Sequence, residues 1–173
     1  MPRPLDLVLL SMFVLSLMPA TIAQTSSRKT TTSCDFTPDA QVAVEYQQVE
    51  FPNAKKALGH EVSYGKVWAP GGKPLALFAN TPVTVGGERL ADGAYTMFVI
   101  PDEKSWTLVV SKGTAMNGNY DPAQDLARVP MQYGQLLQAE SAFTAYFAHT
   151  APDECNLRLD LGKARAWVVF RRQ

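Results

Sequence analysis

From residue 41 onward, apolar and polar side chains mostly alternate. Val42, Val44 and Tyr46 are interleaved with Ala43, Glu45 and Gln47. Leu75 and Leu77 precede Val83 and Val85, and Trp106, Leu108 and Val110 alternate with Thr107 and Val109. Leu157, Leu159 and Leu161 alternate with Arg158 and Asp160, and Ala164, Ala166, Val168 and Phe170 carry the pattern on. A period of two sends successive side chains to opposite faces of a strand. Turn residues fall between the runs. Gly86-Gly87 suits a tight hairpin, Asp92-Gly93 opens the run Ala94 to Ile100, and Pro101 to Lys104 turns into Trp106. Gly162-Lys163 is read as the break between the last two strands. Helix signals are short. Asp121-Pro122-Ala123-Gln124 offers an N-cap acid and a proline at the first helical position, and Asn53 to Leu58 suits another turn. The prediction is an all-β domain over residues 37–173, an antiparallel β-sandwich or barrel-like, jelly-roll-type fold with one or two short helical turns.

The start of the chain reads differently. Residues 1–23 have the features of a secretory signal peptide: Arg3, the apolar run Leu7 to Met18, and small residues at Thr21-Ile22-Ala23. The run is shorter than the roughly 20 apolar residues of a membrane span. An uncleaved signal anchor is therefore the one membrane attachment left open. Residues 24–36 are mostly polar and predict a disordered leader. Export to the periplasm or beyond follows from the signal. In an oxidising compartment, Cys34 and Cys155 are expected to form one disulfide.

Charge narrows the partners. The chain has 16 basic and 16 acidic residues, and loss of Arg3 and Asp6 with the signal keeps the balance at zero. Nothing here draws nucleic acid or an anionic membrane. An unknown small molecule or protein partner remains.

Motif chemistry is sparse. Gly72-Lys73 lacks the spacing and the following hydroxyl residue of a phosphate loop, since Pro74 comes next. There is no G-x-S-x-G, no C-x-x-C and no H-E-x-x-H, so no cofactor and no metal site is expected. His149 near Asp153 and Glu154 suits a polar loop better than a metal site. The candidate binding residues are Trp68, Gly71, Gly72 and Lys73 in one loop, and Tyr120, Asp125 and Arg128 further on. The loop offers an aromatic face, open backbone and a cation. Its alternative is a plain turn with Trp68 in the core and Lys73 in solvent. Asp125 and Arg128, three apart, either pair with each other or leave Arg128 to grip an anion.

Several segments together resemble the bacterial domain-of-unknown-function family 2911. They are YGKVW (64–68), PVTVGGERLADGAYTMFVIP (82–101), WTLVVSK (106–112), YDPAQDLARVPM (120–131) and LRLDLGKARAWVVF (157–170). The resemblance implies an exported all-β bacterial domain without an assigned activity. One departure concerns the family's W-R-x-G-A-N-E segment, in whose place stand Trp68-Ala69-Pro70-Gly71-Gly72-Lys73-Pro74. The S-x-P-x-x-x-G-R segment is likewise unrecognisable around Gln47 to Lys56. A family site built on those polar residues would be altered or decayed here. The expected function is a non-catalytic ligand-binding or interaction domain. The alternatives are a hydrolase or isomerase with an unrecognised polar site, using Asp125, Arg128, Tyr120 or His149, and a structural envelope domain.

Overall fold

The structure is a computed structural model that describes residues 27–113 and 119–173. The expected signal peptide lies outside these residues. Among them, nine strands form one antiparallel sheet in the order β1-β2-β3-β6-β7-β8-β9-β4-β5. The strands are β1 (Ser27–Thr37), β2 (Ala40–Val49), β3 (Leu75–Ala79), β4 (Val83–Val85), β5 (Glu88–Leu90), β6 (Gly93–Ile100), β7 (Trp106–Ser111), β8 (Asp125–Ala151) and β9 (Glu154–Arg172). Three single-turn 3-10 helices lie at Ala54–Lys56, Pro70–Gly72 and Pro122–Gln124.

β8 organises the sheet. Residues 125–131 pair with β7, and residues from 132 onward pair with β9. The strand thus passes from one half of the sheet to the other, and the halves fold face to face over one core. Trp106, Phe143, Phe170, Leu75 and Leu157 are among its largest fully buried side chains. The sheet does not close, but its β1–β2 end is tied to β8 and β9. Phe51 N–H donates to the Ser141 carbonyl at 2.9 Å. Phe147 N–H donates to Thr32 Oγ1 at 3.0 Å. The Cys34–Cys155 disulfide joins β1 to β9.

Two sequence expectations change. From Ser27 on, the stretch expected as a disordered leader is strand β1, paired along its length with β2. Its polar side chains hid it. An edge strand gains its order from backbone hydrogen bonds, which any residue but proline supplies, and here Cys34 and Phe36 anchor it in the core. Gly162 does not divide two strands either. β9 runs through it as a bulge, with φ +57° at Gly162. The core positions accordingly switch from odd numbers (Leu157, Leu159, Leu161) to even ones (Ala164, Ala166, Val168, Phe170). A Cβ on Gly162 would lie 2.3 Å from the Ala54 carbonyl oxygen, so the first 3-10 turn can seat there only against glycine.

Candidate functional site

The two groups of candidate residues fare differently. Trp68 N–H donates to the Val99 carbonyl at 2.7 Å, and Val99 N–H donates back at 3.1 Å. The half-buried indole meets the Phe143 ring edge-on at 5.0 Å between centroids and leans on Phe51 at 6.5 Å. Its apolar body is therefore committed to the core edge. Gly71 and Gly72, at φ +67° and +77°, make the turn that returns the chain to β3. Lys73 is exposed beside Lys29, Glu45 and Gln47, at a hollow of only about 30 Å³.

Tyr120, Asp125 and Arg128 are brought together. Tyr120 Oη donates to Asp125 Oδ2 at 2.6 Å, Arg128 Nε donates to the same oxygen at 2.8 Å, and Arg128 Nη2 donates to Tyr120 Oη. In a regular strand, residues three apart face opposite sides. Here the register between β7 and β8 slips by one residue, since Val110 faces Ala127 and Ser111 faces Asp125. The extra residue, Leu126, lets Asp125 share Arg128's side. Tyr120 arrives from the segment before β8. Its turn is capped by Asp121, which accepts from Ala123 N–H at 3.0 Å, and its ring meets Phe98 edge-on at 5.1 Å. That segment is further tied to the sheet by Ser111 Oγ donating to the Gln124 carbonyl, and Thr96 Oγ1 donates to the Gly113 carbonyl.

The electrostatics suit recognition better than proton transfer. Burial first, then the hydrogen bond to Asp125, pushes the Tyr120 phenol above its ordinary value. The hydrogen bond to Asp125 is the largest influence raising the Arg128 guanidinium. The Arg128 side chain stays 49% exposed while Asp125 is 14% exposed. Asp125 Oδ1 is buried without a hydrogen-bond partner among the described residues.

A family profile described as "Protein of unknown function (DUF2911)" matches residues 26–170. The chain belongs to this family. No curated protein and no solved structure matches it. Within this DUF2911 domain, YDPAQDLARVPM carries the whole Tyr120–Asp125–Arg128 cluster, whereas the loop at 69–74 carries fold contacts and one exposed lysine.

His149 does not join the cluster. It lies near the far end of β8, where its Nε2 is 3.7 Å from Cys34 Sγ. Glu154, its neighbour in the polar loop, accepts from Thr150 Oγ1 at 2.8 Å and pairs with Arg171. Those contacts, Thr150 first, hold its carboxyl below the usual range. A second polar cluster went unnoticed in the sequence. Asp160, 2% exposed, accepts from Arg165 Nε and Nη2 at 2.8 and 2.7 Å, and Arg158 and Arg165 both lie over the Tyr146 ring. The Gly162 bulge makes that pairing, just as the slip at Leu126 makes the other. Asp160 is fully engaged, so its cluster reads as structural.

Proposed function

We propose that this protein is an exported, non-catalytic ligand-binding domain that holds a small molecule through an acceptor group at Arg128. The observation that carries the reading is the fixing of the guanidinium. Nε and Nη2 are committed to Asp125 and Tyr120, while about half of the side chain faces solvent. Holding a cation in place before a ligand arrives removes much of the ordering cost of binding. Since Asp125 already occupies the Nε side, the ligand meets the remaining Nη1 end of the guanidinium rather than the full fork. Asp125 and Arg128 cancel in charge, so recognition rests on hydrogen-bond geometry with a carboxylate- or phosphate-sized group. The raised Tyr120 phenol stays protonated at neutral pH and serves as a donor to Asp125, not as a base.

Export is supported by the apolar leader and by the Cys34–Cys155 disulfide. Among the described residues, no helix is long and apolar enough to cross a membrane.

A hydrolase or isomerase is the second reading, favoured by the gathering of three of its named groups at one place. A ligand-observed NMR screen of small carboxylates, phosphates and sugars tests the first reading. Wild type should bind at least one acid that Arg128→Ala binds about tenfold more weakly, the scale of one charge-assisted hydrogen bond. Equal binding by both proteins would remove Arg128 from the site, and turnover of any screened compound would favour the second reading.

A further inference from the structure

Away from the Arg128 cluster, three potential metal ligands from three strands converge. Cys34 lies on β1, His149 on β8 and Cys155 on β9, and their sulfur and imidazole nitrogen atoms all lie within 4.8 Å of one another. Both cysteines are buried in the core and His149 is exposed, so the group has an apolar floor and a wet mouth. The positions are set by backbone. His149 is the register partner of Cys155 in the β8–β9 ladder, and the Phe147 N–H to Thr32 Oγ1 bond holds β1 against β8 two residues before His149. None of this depends on the disulfide, so the three side chains are expected to stay together once the sulfur–sulfur bond is opened.

We propose that the reduced protein binds one zinc ion through Cys34, Cys155 and His149, and that the disulfide and the zinc site are alternative states of the same three residues. Two thiolates and one imidazole form a common donor set for zinc, and three protein ligands leave a fourth position for water or another ligand. The chemistry balances. A dithiol reductant passes two electrons and two protons to the Cys34–Cys155 bond and becomes a disulfide itself. Zinc then displaces the two thiol protons and takes the lone pair of His149 Nε2. In the reverse step a small-molecule disulfide accepts two electrons from the two thiolates and two protons from water, leaves as two thiols, and the re-formed Cys34–Cys155 bond releases the ion.

The test uses the mature chain, reduced with a dithiol, desalted without oxygen and titrated with zinc under native mass spectrometry. Cadmium absorbance in the thiolate charge-transfer region serves as a second readout, and far-ultraviolet circular dichroism follows the sheet. Expected are one zinc per reduced chain, none per oxidised chain, and a cadmium–thiolate band. His149→Ala should weaken zinc by at least about tenfold, because even the loss of an outer partner of a metal ligand costs that much. His60→Ala should bind as wild type does. The proposal is overturned if the reduced chain takes up no zinc, if His149→Ala binds as tightly as wild type, or if His60→Ala weakens binding equally. It is also overturned if the reduced chain unfolds and zinc does not restore the sheet.

Discussion

The loop at 65–74 and the segment at 120–128 look alike in composition, each with an aromatic residue, a turn and a cation, yet the fold uses them in opposite ways. In the first, the aromatic residue is spent on packing. Trp68 seals the core edge against Phe143 and Phe51, the two glycines make the turn, and Lys73 is left in solvent. In the second, the polar groups are drawn together. Tyr120, Asp125 and Arg128 close a hydrogen-bonded ring on the sheet while the guanidinium keeps one end open. The presence of site-like residues is therefore a weak guide. The stronger one is whether packing has already consumed them.

This contrast breaks most easily at Trp68. Trp68→Ala should lower unfolding stability by about 3 kcal/mol, within the range for removing a large packed aromatic, as read from the urea midpoint. A loss under about 1 kcal/mol would mean the indole is not a core element and would return it to the list of binding residues.

Gly71→Ala comes next. The residue sits at φ +67°, and a Cβ there would approach Gln47 Cβ and Val49 Cγ2 at 2.9 Å each. Left-handed strain and crowding together should cost about 2 kcal/mol, measured in the same way. An unchanged midpoint would show that the turn is not tightly held.

Arg128→Ala should cost only about 1 kcal/mol of stability, since the side chain is half exposed and the ion pair is partly screened. The account requires a small stability effect here together with a large binding effect. At Trp68 the order is reversed.

Alkaline titration sharpens the cluster itself. The Tyr120 phenol is raised in the folded state, chiefly by burial. Its contribution to stability is thus fully present below the ordinary tyrosine value of about 10 and is lost as pH rises through the raised value. Tyr64 is raised too, again chiefly by burial, and acts in the same direction. Wild type should lose stability more steeply above pH 10 than Tyr120→Phe does, in thermal melts across that range. Parallel curves would place Tyr120 outside the hydrogen-bonded ring. The smallest effect belongs to Lys73→Ala, expected within about 0.5 kcal/mol of wild type, as for surface substitutions elsewhere.

Much of the fold was legible wherever alternation is unbroken. β2, β3, β6, β7 and the β4–β5 hairpin follow from their apolar spacing and turns, the turn at 122–124 lies where its capping acid and proline place it, and the turn at 54–56 falls within the stretch Asn53 to Leu58. β1 was hidden because backbone pairing orders it with mostly exposed polar side chains. β8 was hidden because Pro130, Gly134 and a register break between Gln135 and Thr144 interrupt its pattern. The parity switch at Gly162 was visible, but a bulge and a turn leave the same mark in sequence. The candidate site was half legible. The pairing of Asp125 with Arg128 is one of the two outcomes their spacing allows, but it is made on a strand, by a slip at Leu126 that the sequence does not signal. Tyr120 joins through the path of a loop, which local patterns do not encode. His149 has polar neighbours in sequence, whereas its partner in space, Cys34, is 115 residues away.

The most direct test of the central claim is native mass spectrometry of the chain purified from an oxidising compartment, with wild type, Arg128→Ala and Lys73→Ala measured side by side. Wild type and Lys73→Ala should carry the same non-covalent small molecule, and Arg128→Ala should be bare or strongly depleted. Retention of that molecule by Arg128→Ala, its loss from Lys73→Ala alone, or a bare wild type would contradict the account.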